Sequence, residues 1–172
     1  MGEGRLEARQ IVDTAETLIE ANETSDPFSL CEKLDIAVLE RPLPDSLFGL
    51  AYSPFGCRYV VLRPGLEAPF RNFVCAHELG HHLLHPHVVA YFVEEETLFR
   101  MEKYEWQAHL FAVRLLTWEL ESWDIPRLSE VGIPPNVAHR FAEHKSVLKY
   151  FSKEWASWQA EESPNGAIRG LM

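Results

Sequence analysis

The sequence predicts an α+β fold, mostly helical, with a small three-stranded sheet set between its N-terminal helix and its central one. Three observations carry this prediction. Long stretches place apolar residues at helical spacing, short β-branched runs are confined to residues 36–62, and proline or glycine punctuates the junctions. The 172 residues, 47% hydrophobic and 24% charged, suit one domain with a core that needs no disulfide or metal simply to fold. The domain is expected to span residues 1–160, with 161–172 as a flexible C-terminal tail.

Residues 5–22 set Ile11, Ala15, Leu18 and Ile19 along one side of an amphipathic helix. Asn22–Pro27 ends it, and Pro27 opens a short helix running through Lys33. Ile36–Glu40 reads as a strand, followed by the proline-bracketed connection Arg41–Pro44. Phe48–Tyr52 and Arg58–Leu62 read as two strands of a hairpin around Ser53-Pro54-Phe55-Gly56. Phe70–His85, between Pro69 and Pro86, carries apolar residues most of the way round, namely Phe73, Val74, Cys75, Leu79, Leu83 and Leu84. Such a helix is buried and central. Val88–Val93 fits either a strand or a covering loop; at six residues it is the longest wholly apolar run, far short of a membrane span. Lys103–Trp118 is a second strong helix, and residues 119–137 are expected to be irregular because of Pro126, Pro134 and Pro135. A third helix from about Val137 to Trp158 carries an apolar seam of Val147, Phe151, Trp155 and Trp158.

Composition narrows the function. Lys plus Arg total 16 and Asp plus Glu total 26, a formal charge of −10, which argues against direct nucleic-acid binding. Cys31, Cys57 and Cys75 form no CxxC pair and no disulfide framework. The polar N-terminal MGEGRLEARQ lacks the apolar segment of a signal peptide. A reduced, cytoplasmic protein with no membrane association is expected.

Five of the eight histidines fall between His77 and His87. His77-Glu78-Leu79-Gly80-His81 is HExxH on the expected central helix. Residues four apart on a helix lie one above the other, so both imidazoles can reach one ion, and zinc accepts neutral imidazole nitrogens at about 2.0–2.1 Å. Glu78, one residue round from His77, is placed to take a proton from water beside the metal. An uncompensated glutamate in so apolar a segment would be costly, which favours a functional reading of the motif.

A catalytic zinc usually takes three protein ligands. The candidates for the third are His85, His87, Glu94–Glu96, Glu105 and His109. His85 lies about 12 Å along the helix axis from His77, too far to share the ion, and suits a histidine interacting with the helix C-terminal dipole. Glu94–Glu96 reads as a solvated acidic stretch. Glu105 opens the second strong helix, 24 residues beyond His81, with Ala108 and Ala112 small enough for that helix to come close. Gly80 costs about 0.5–1 kcal/mol in mid-helix relative to alanine and marks the same close approach. Glu105 is therefore the expected third ligand. His109 is left as a residue orienting the site, an occasional ligand, or a histidine on a packing surface.

These residues resemble a known family, the ImmA/IrrE-type zinc metallo-endopeptidases. Phe73-Val74-Cys75-Ala76-His77-Glu78-Leu79-Gly80-His81-His82-Leu83-Leu84-His85 is similar to its F-x-x-AHELGHxLLH segment. Glu105-Trp106-Gln107-Ala108-His109-Leu110-Phe111-Ala112-Val113-Arg114-Leu115-Leu116 resembles its E-x-x-A-N-x-FA-x-x-LL helix. The likeness covers roughly residues 5–118. It implies a zincin-like minimal metalloprotease core, with His77, His81 and Glu105 holding Zn2+ and Glu78 as general base. It further implies a cytosolic bacterial or phage-borne endopeptidase that cleaves a helix-turn-helix repressor and so releases a stress or mobile-element response. His109 departs from the family's usual Asn, and Thr117-Trp118 from its common Met-Pro.

In the expected mechanism a substrate segment adds as a strand beside Arg58–Leu62, and Tyr91, Tyr104 and His109 are the candidate oxyanion donors. The acidic surface suits a basic protein substrate. The alternative is a non-catalytic regulatory or toxin–antitoxin-type binding protein with a structural or vestigial metal.

Overall fold

The computed structural model describes residues 8–86, 97–120 and 125–143. Its elements are helices α1 (Ala8–Asn22) and α2 (Pro27–Lys33), strands β1 (Ile36–Glu40), β2 (Gly49–Tyr52) and β3 (Arg58–Leu62), and helices α3 (Ala68–Leu84), α4 (Thr97–Leu116), α5 (Ile125–Glu130) and α6 (Pro135–Glu143). This is the α+β arrangement expected. Proposals for His87, Val88–Val93, Tyr91 and Glu94–Glu96, for the last helix beyond Glu143, and for a tail at 161–172 fall outside the described residues.

Local chemistry accounts for the early elements. The Asp26 carboxylate accepts from the Ser29 backbone N–H at 2.7 Å, capping α2, and Pro27 follows where a missing N–H costs nothing. The hairpin turns through Phe55 and Gly56, both at positive φ, and Cys57 N–H closes onto Pro54 C=O at 3.0 Å.

The sheet order is β1-β3-β2, with β3 parallel to β1 (Ile36 opposite Arg58) and antiparallel to β2 (Gly49 opposite Leu62). This corrects one expectation. Arg58–Leu62 is the central strand, its backbone groups satisfied on both sides, so no peptide can add beside it. The hairpin pattern was legible, but the parallel return of β3 alongside β1 depends on a longer connection that leaves no local signal.

Every residue from Phe73 to Gly80 on α3 is buried. A Cβ on Gly80 would lie 3.1 Å from Phe111 Cδ1 and 3.4 Å from the Ala108 backbone, so α3 and α4 do approach closely there. Behind α4, helix α1 contributes Ile11, Val12, Ala15 and Ile19 to the core. The same packing buries Arg114, whose Nε meets Glu16 Oε1 at 2.9 Å while its guanidinium lies over Trp118.

Two boundaries differ from expectation. α4 starts at Thr97, not Lys103, because no proline or glycine interrupts 97–102; Glu105 therefore sits two turns inside the helix. The segment 119–137 is not wholly irregular, since α5 and the start of α6 fall within it. Pro126 and Pro135 lie in first turns, where they start helices instead of breaking them. α5 ends in a Schellman motif: Gly132 takes φ +89°, its N–H bonds Ser129 C=O at 3.0 Å, and Ile133 N–H bonds Leu128 C=O at 3.0 Å. Among the described residues no helix is long and apolar enough to cross a membrane.

Gly132 also sets the α5–α6 corner against the start of α3, since a Cβ there would fall 1.8 Å from Pro69 O. Gly132→Ala should therefore lose about 2–4 kcal/mol of stability, combining backbone strain with overlap. Gly65 also has positive φ but an open surround, so Gly65→Ala should lose only about 1–2 kcal/mol. Urea midpoints at unchanged slope measure both.

Candidate metal centre

Helices α3 and α4 bring three sequence-predicted donors to one point. His77 Nε2 and His81 Nε2 are 3.1 Å apart. Glu105 Oε2 lies 3.1 Å from His77 Nε2, and its Oε1 lies 3.3 Å from His81 Nε2. Donors held at 2.0–2.1 Å around a tetrahedral ion are separated by about 3.3 Å, so these three atoms have the spacing of one face of a zinc tetrahedron. Two imidazoles and a carboxylate are also a donor set that zinc accepts.

His77 and His81 are held in different ways. His77 stacks on Phe73 at 6.2 Å between ring centroids, and its Nδ1 is buried without a hydrogen-bond partner. His81 Nδ1, in contrast, lies 3.3 Å from His85 Nδ1.

Glu78 leaves α3 on a different side, toward β2. In the β2–β3 ladder Arg63 N–H bonds Phe48 C=O, so Phe48, Leu50 and Tyr52 face β3 while Gly49 and Ala51 turn their backbone groups outward. Ala51 N–H donates to the Glu78 carboxylate. Gly49 makes this possible, because a Cβ there would stand 2.9 Å from Glu78 Oε1 and 2.6 Å from Val74 Cγ1. Burial drives the Glu78 pKa upward, outweighing the His77 and His81 charges and the Ala51 hydrogen bond that favour the carboxylate.

Burial alone would raise the Glu105 pKa as well. Hydrogen bonds and charge from His77 and His81 overcome it and hold Glu105 far below the usual carboxylate range. For His81, desolvation favours the neutral ring, but the Glu105 hydrogen bond and the charges of Glu78 and Glu105 win and raise its pKa.

His109 is one turn beyond Glu105, its ring centroid 4.6 Å from that of His77 and 5.8 Å from that of Phe73. His77, Glu105 and His109 offer donor atoms within 4.8 Å of one another, so His109 is a fourth donor close to the same point. Desolvation, then the His77 charge, push its pKa down to about 4.

Sequence reasoning missed two histidines. His82 Nε2 lies 2.8 Å from Tyr59 C=O, which fastens the hairpin to α3. His85 is not a cation on the helix dipole: it is buried, with Nε2 2.8 Å from Gln107 Oε1, and desolvation lowers its pKa to about 4. Tyr104, one of the suggested oxyanion donors, packs its ring 4.6 Å from that of His85.

His77, Glu78, His81, His82, His85, Tyr104, Glu105 and His109 line a cleft of about 590 Å³. Apolar side chains from Phe48, Phe70, Phe73, Val74, Pro134 and Val137 line it as well.

Comparison with known proteins adds to this geometry. The family model of the IrrE N-terminal-like domain, peptidase family M78, matches residues 31–150. The chain is 34% identical over 145 residues to the "Uncharacterized immunity region protein 2" of Bacillus phage phi105, an overlap of 78% of this chain and 89% of the relative. No solved structure matches.

His109 makes stability acid-sensitive. Its folded pKa of about 4 lies below the ordinary histidine value of 6.5, so the folded chain binds fewer protons between them. Its contribution is complete above pH 6.5 and is lost as pH falls toward 4. The metal-free His109→Asn variant should consequently lose less stability between pH 7 and pH 5 than the metal-free parent; equal losses in urea titrations would refute this.

Proposed function

Because the chain belongs to the IrrE N-terminal-like family of metallopeptidases, we propose that it is a zinc-dependent endopeptidase that cleaves a helix-turn-helix transcriptional repressor. The fold is an α+β minimal zincin-like core. One observation carries the reading: His77, His81 and Glu105 place donors 3.1–3.3 Å apart in the same cleft as the buried Glu78. The phage relative is named for an immunity region, which supports a repressor as substrate and a mobile-element response as outcome. The net charge of −10 suits a basic DNA-binding protein, and the setting is cytoplasmic.

His77, His81 and Glu105 would hold Zn2+, which would supply Lewis acidity toward a water and a peptide carbonyl. Glu78 takes a proton from a water in the cleft and returns it to the leaving amine. Burial aids this exchange by moving the carboxylate upward, toward the pH at which it must both accept and release a proton. An extended substrate segment meets the sheet at β2, the edge strand along the cleft, where Gly49 and the Ala51 C=O face outward and the Ala51 N–H is held by Glu78. The apolar residues lining the cleft receive its side chains.

A second reading has its own support. With His109 beside His77 and Glu105, four protein donors are within reach, and structural zinc sites take four. The chain would then be a non-catalytic regulatory or toxin–antitoxin-type binding protein.

Glu78→Gln separates the two. Incubated with the helix-turn-helix repressor encoded beside its gene, the zinc-loaded chain should cleave it, and chelation should stop cleavage until zinc is restored. Glu78→Gln should keep its zinc yet cut at least about 100-fold more slowly. Undiminished cleavage would remove Glu78 from its role, and stable repressor binding without cleavage would favour the second reading.

A further inference from the structure

We propose that His85 and Gln107 are positioning residues that fix the tautomer of His81 and aim its bare Nε2 at the metal point. The inference rests on the reading of His77, His81 and Glu105 as metal ligands. Its starting point is Gln107 Oε1, 2.8 Å from His85 Nε2. An amide oxygen only accepts, so His85 Nε2 carries the hydrogen of this bond. A neutral imidazole has one N–H, which leaves His85 Nδ1 as an acceptor. That nitrogen is 3.3 Å from His81 Nδ1, which must then be the donor. With an ion at the site and its proton on Nδ1, His81 presents a bare Nε2 in place of the hydrogen bond it otherwise makes to Glu105; that nitrogen is 3.1 Å from His77 Nε2 and 3.3 Å from Glu105 Oε1.

The fold builds this relay into the two helices that carry the donors. His85 follows His81 by four residues and is the C-cap of α3, where φ −131° and ψ 48° leave helical geometry. Gln107 is on α4, two residues beyond Glu105. Both side chains are buried, and the Tyr104 ring packs on His85, so water does not compete for the bonds. His77 Nδ1 has no such partner, so among the described ligand histidines the hydrogen-bonded orientation is on the His81 side. Partners of this kind to a ligating histidine typically change metal affinity 10–100-fold.

The test measures the zinc Kd of the full chain by competition with a chromophoric chelator. Gln107→Met keeps the volume but not the acceptor, and should weaken zinc binding at least about tenfold. Gln107→Glu restores an acceptor and should bind zinc at least as tightly as the parent. His85→Phe keeps a ring against Tyr104 without either nitrogen and should match Gln107→Met; if it does not fold, the Gln107 pair decides. Unfolding of the metal-free chains shows whether Gln107→Met remains folded. Zinc binding unchanged in a folded Gln107→Met, or weakened without rescue by Gln107→Glu, overturns the relay alone. A parent chain that binds no stoichiometric zinc overturns the metal centre, and the relay with it.

Discussion

Everything at the site depends on how closely α3 and α4 cross. Helices in contact ordinarily run about 8–10 Å apart, with side chains between them setting the distance. Here three donor atoms from the two helices must converge to 3.1–3.3 Å. The short Glu105 side chain can reach both imidazoles only if its helix lies near the small end of that range. Gly80 between the two histidines and Ala108 opposite it remove the side chains that would hold the helices apart, while Phe111 fills the space beside them. α1 braces α4 from behind. The buried Arg114 is costly to desolvate, and its cost is offset only when α4 has the rotation that brings Nε to Glu16 and the guanidinium over Trp118. That rotation is also the one that turns Glu105 toward α3.

The helix separates the two kinds of chemistry. Successive residues on α3 are about 100° apart, so His77 and His81 face α4 while Glu78 faces the sheet. The second close approach, at Gly49, then matters as much as the first. With no Cβ at Gly49, Glu78 lies directly against β2 and receives the Ala51 N–H, which a sheet interior would not have spare. β2 is an edge strand because β3 pairs with β1 on its far side. Sheet order thus determines both the hydrogen bond to Glu78 and the strand that a peptide can meet.

Residue spacing made some of this legible and not the rest. The i, i+4 histidines, the glycine between them and a carboxylate from the next helix could all be read, because each is a local pattern with a local physical reason. α2, β1 and β3 were also readable, since their ends coincide with proline, glycine or a capping aspartate. The order of the strands was not, because a parallel pair closed over a long connection leaves no mark in the residues. α5 and the start of α6 were hidden by Pro126 and Pro135, because a proline's effect reverses between a helix interior and its first turn. His85 was read as a dipole cation because the polarity of its surroundings depends on α4 folding over it; 22 residues separate it from Gln107, and an amide has no periodic signature.

His109 poses the remaining physical question, since a fourth nearby donor suits a closed site and an open position suits catalysis. Glu78 weighs on the catalytic side. A structural ion gains nothing from a carboxylate that does not bind it, yet this one is buried at the cost that raises its pKa. That cost is only partly offset by the charges of His77 and His81 and by one backbone N–H, and it falls beside a glycine that makes the space for it. A core position free to choose would take an apolar residue. His109 also stacks on Phe73, which gives its ring a place in the aromatic wall without any bond to the ion. The arrangement therefore makes better sense as a three-donor centre with a proton-transfer group beside it than as a closed four-donor knot.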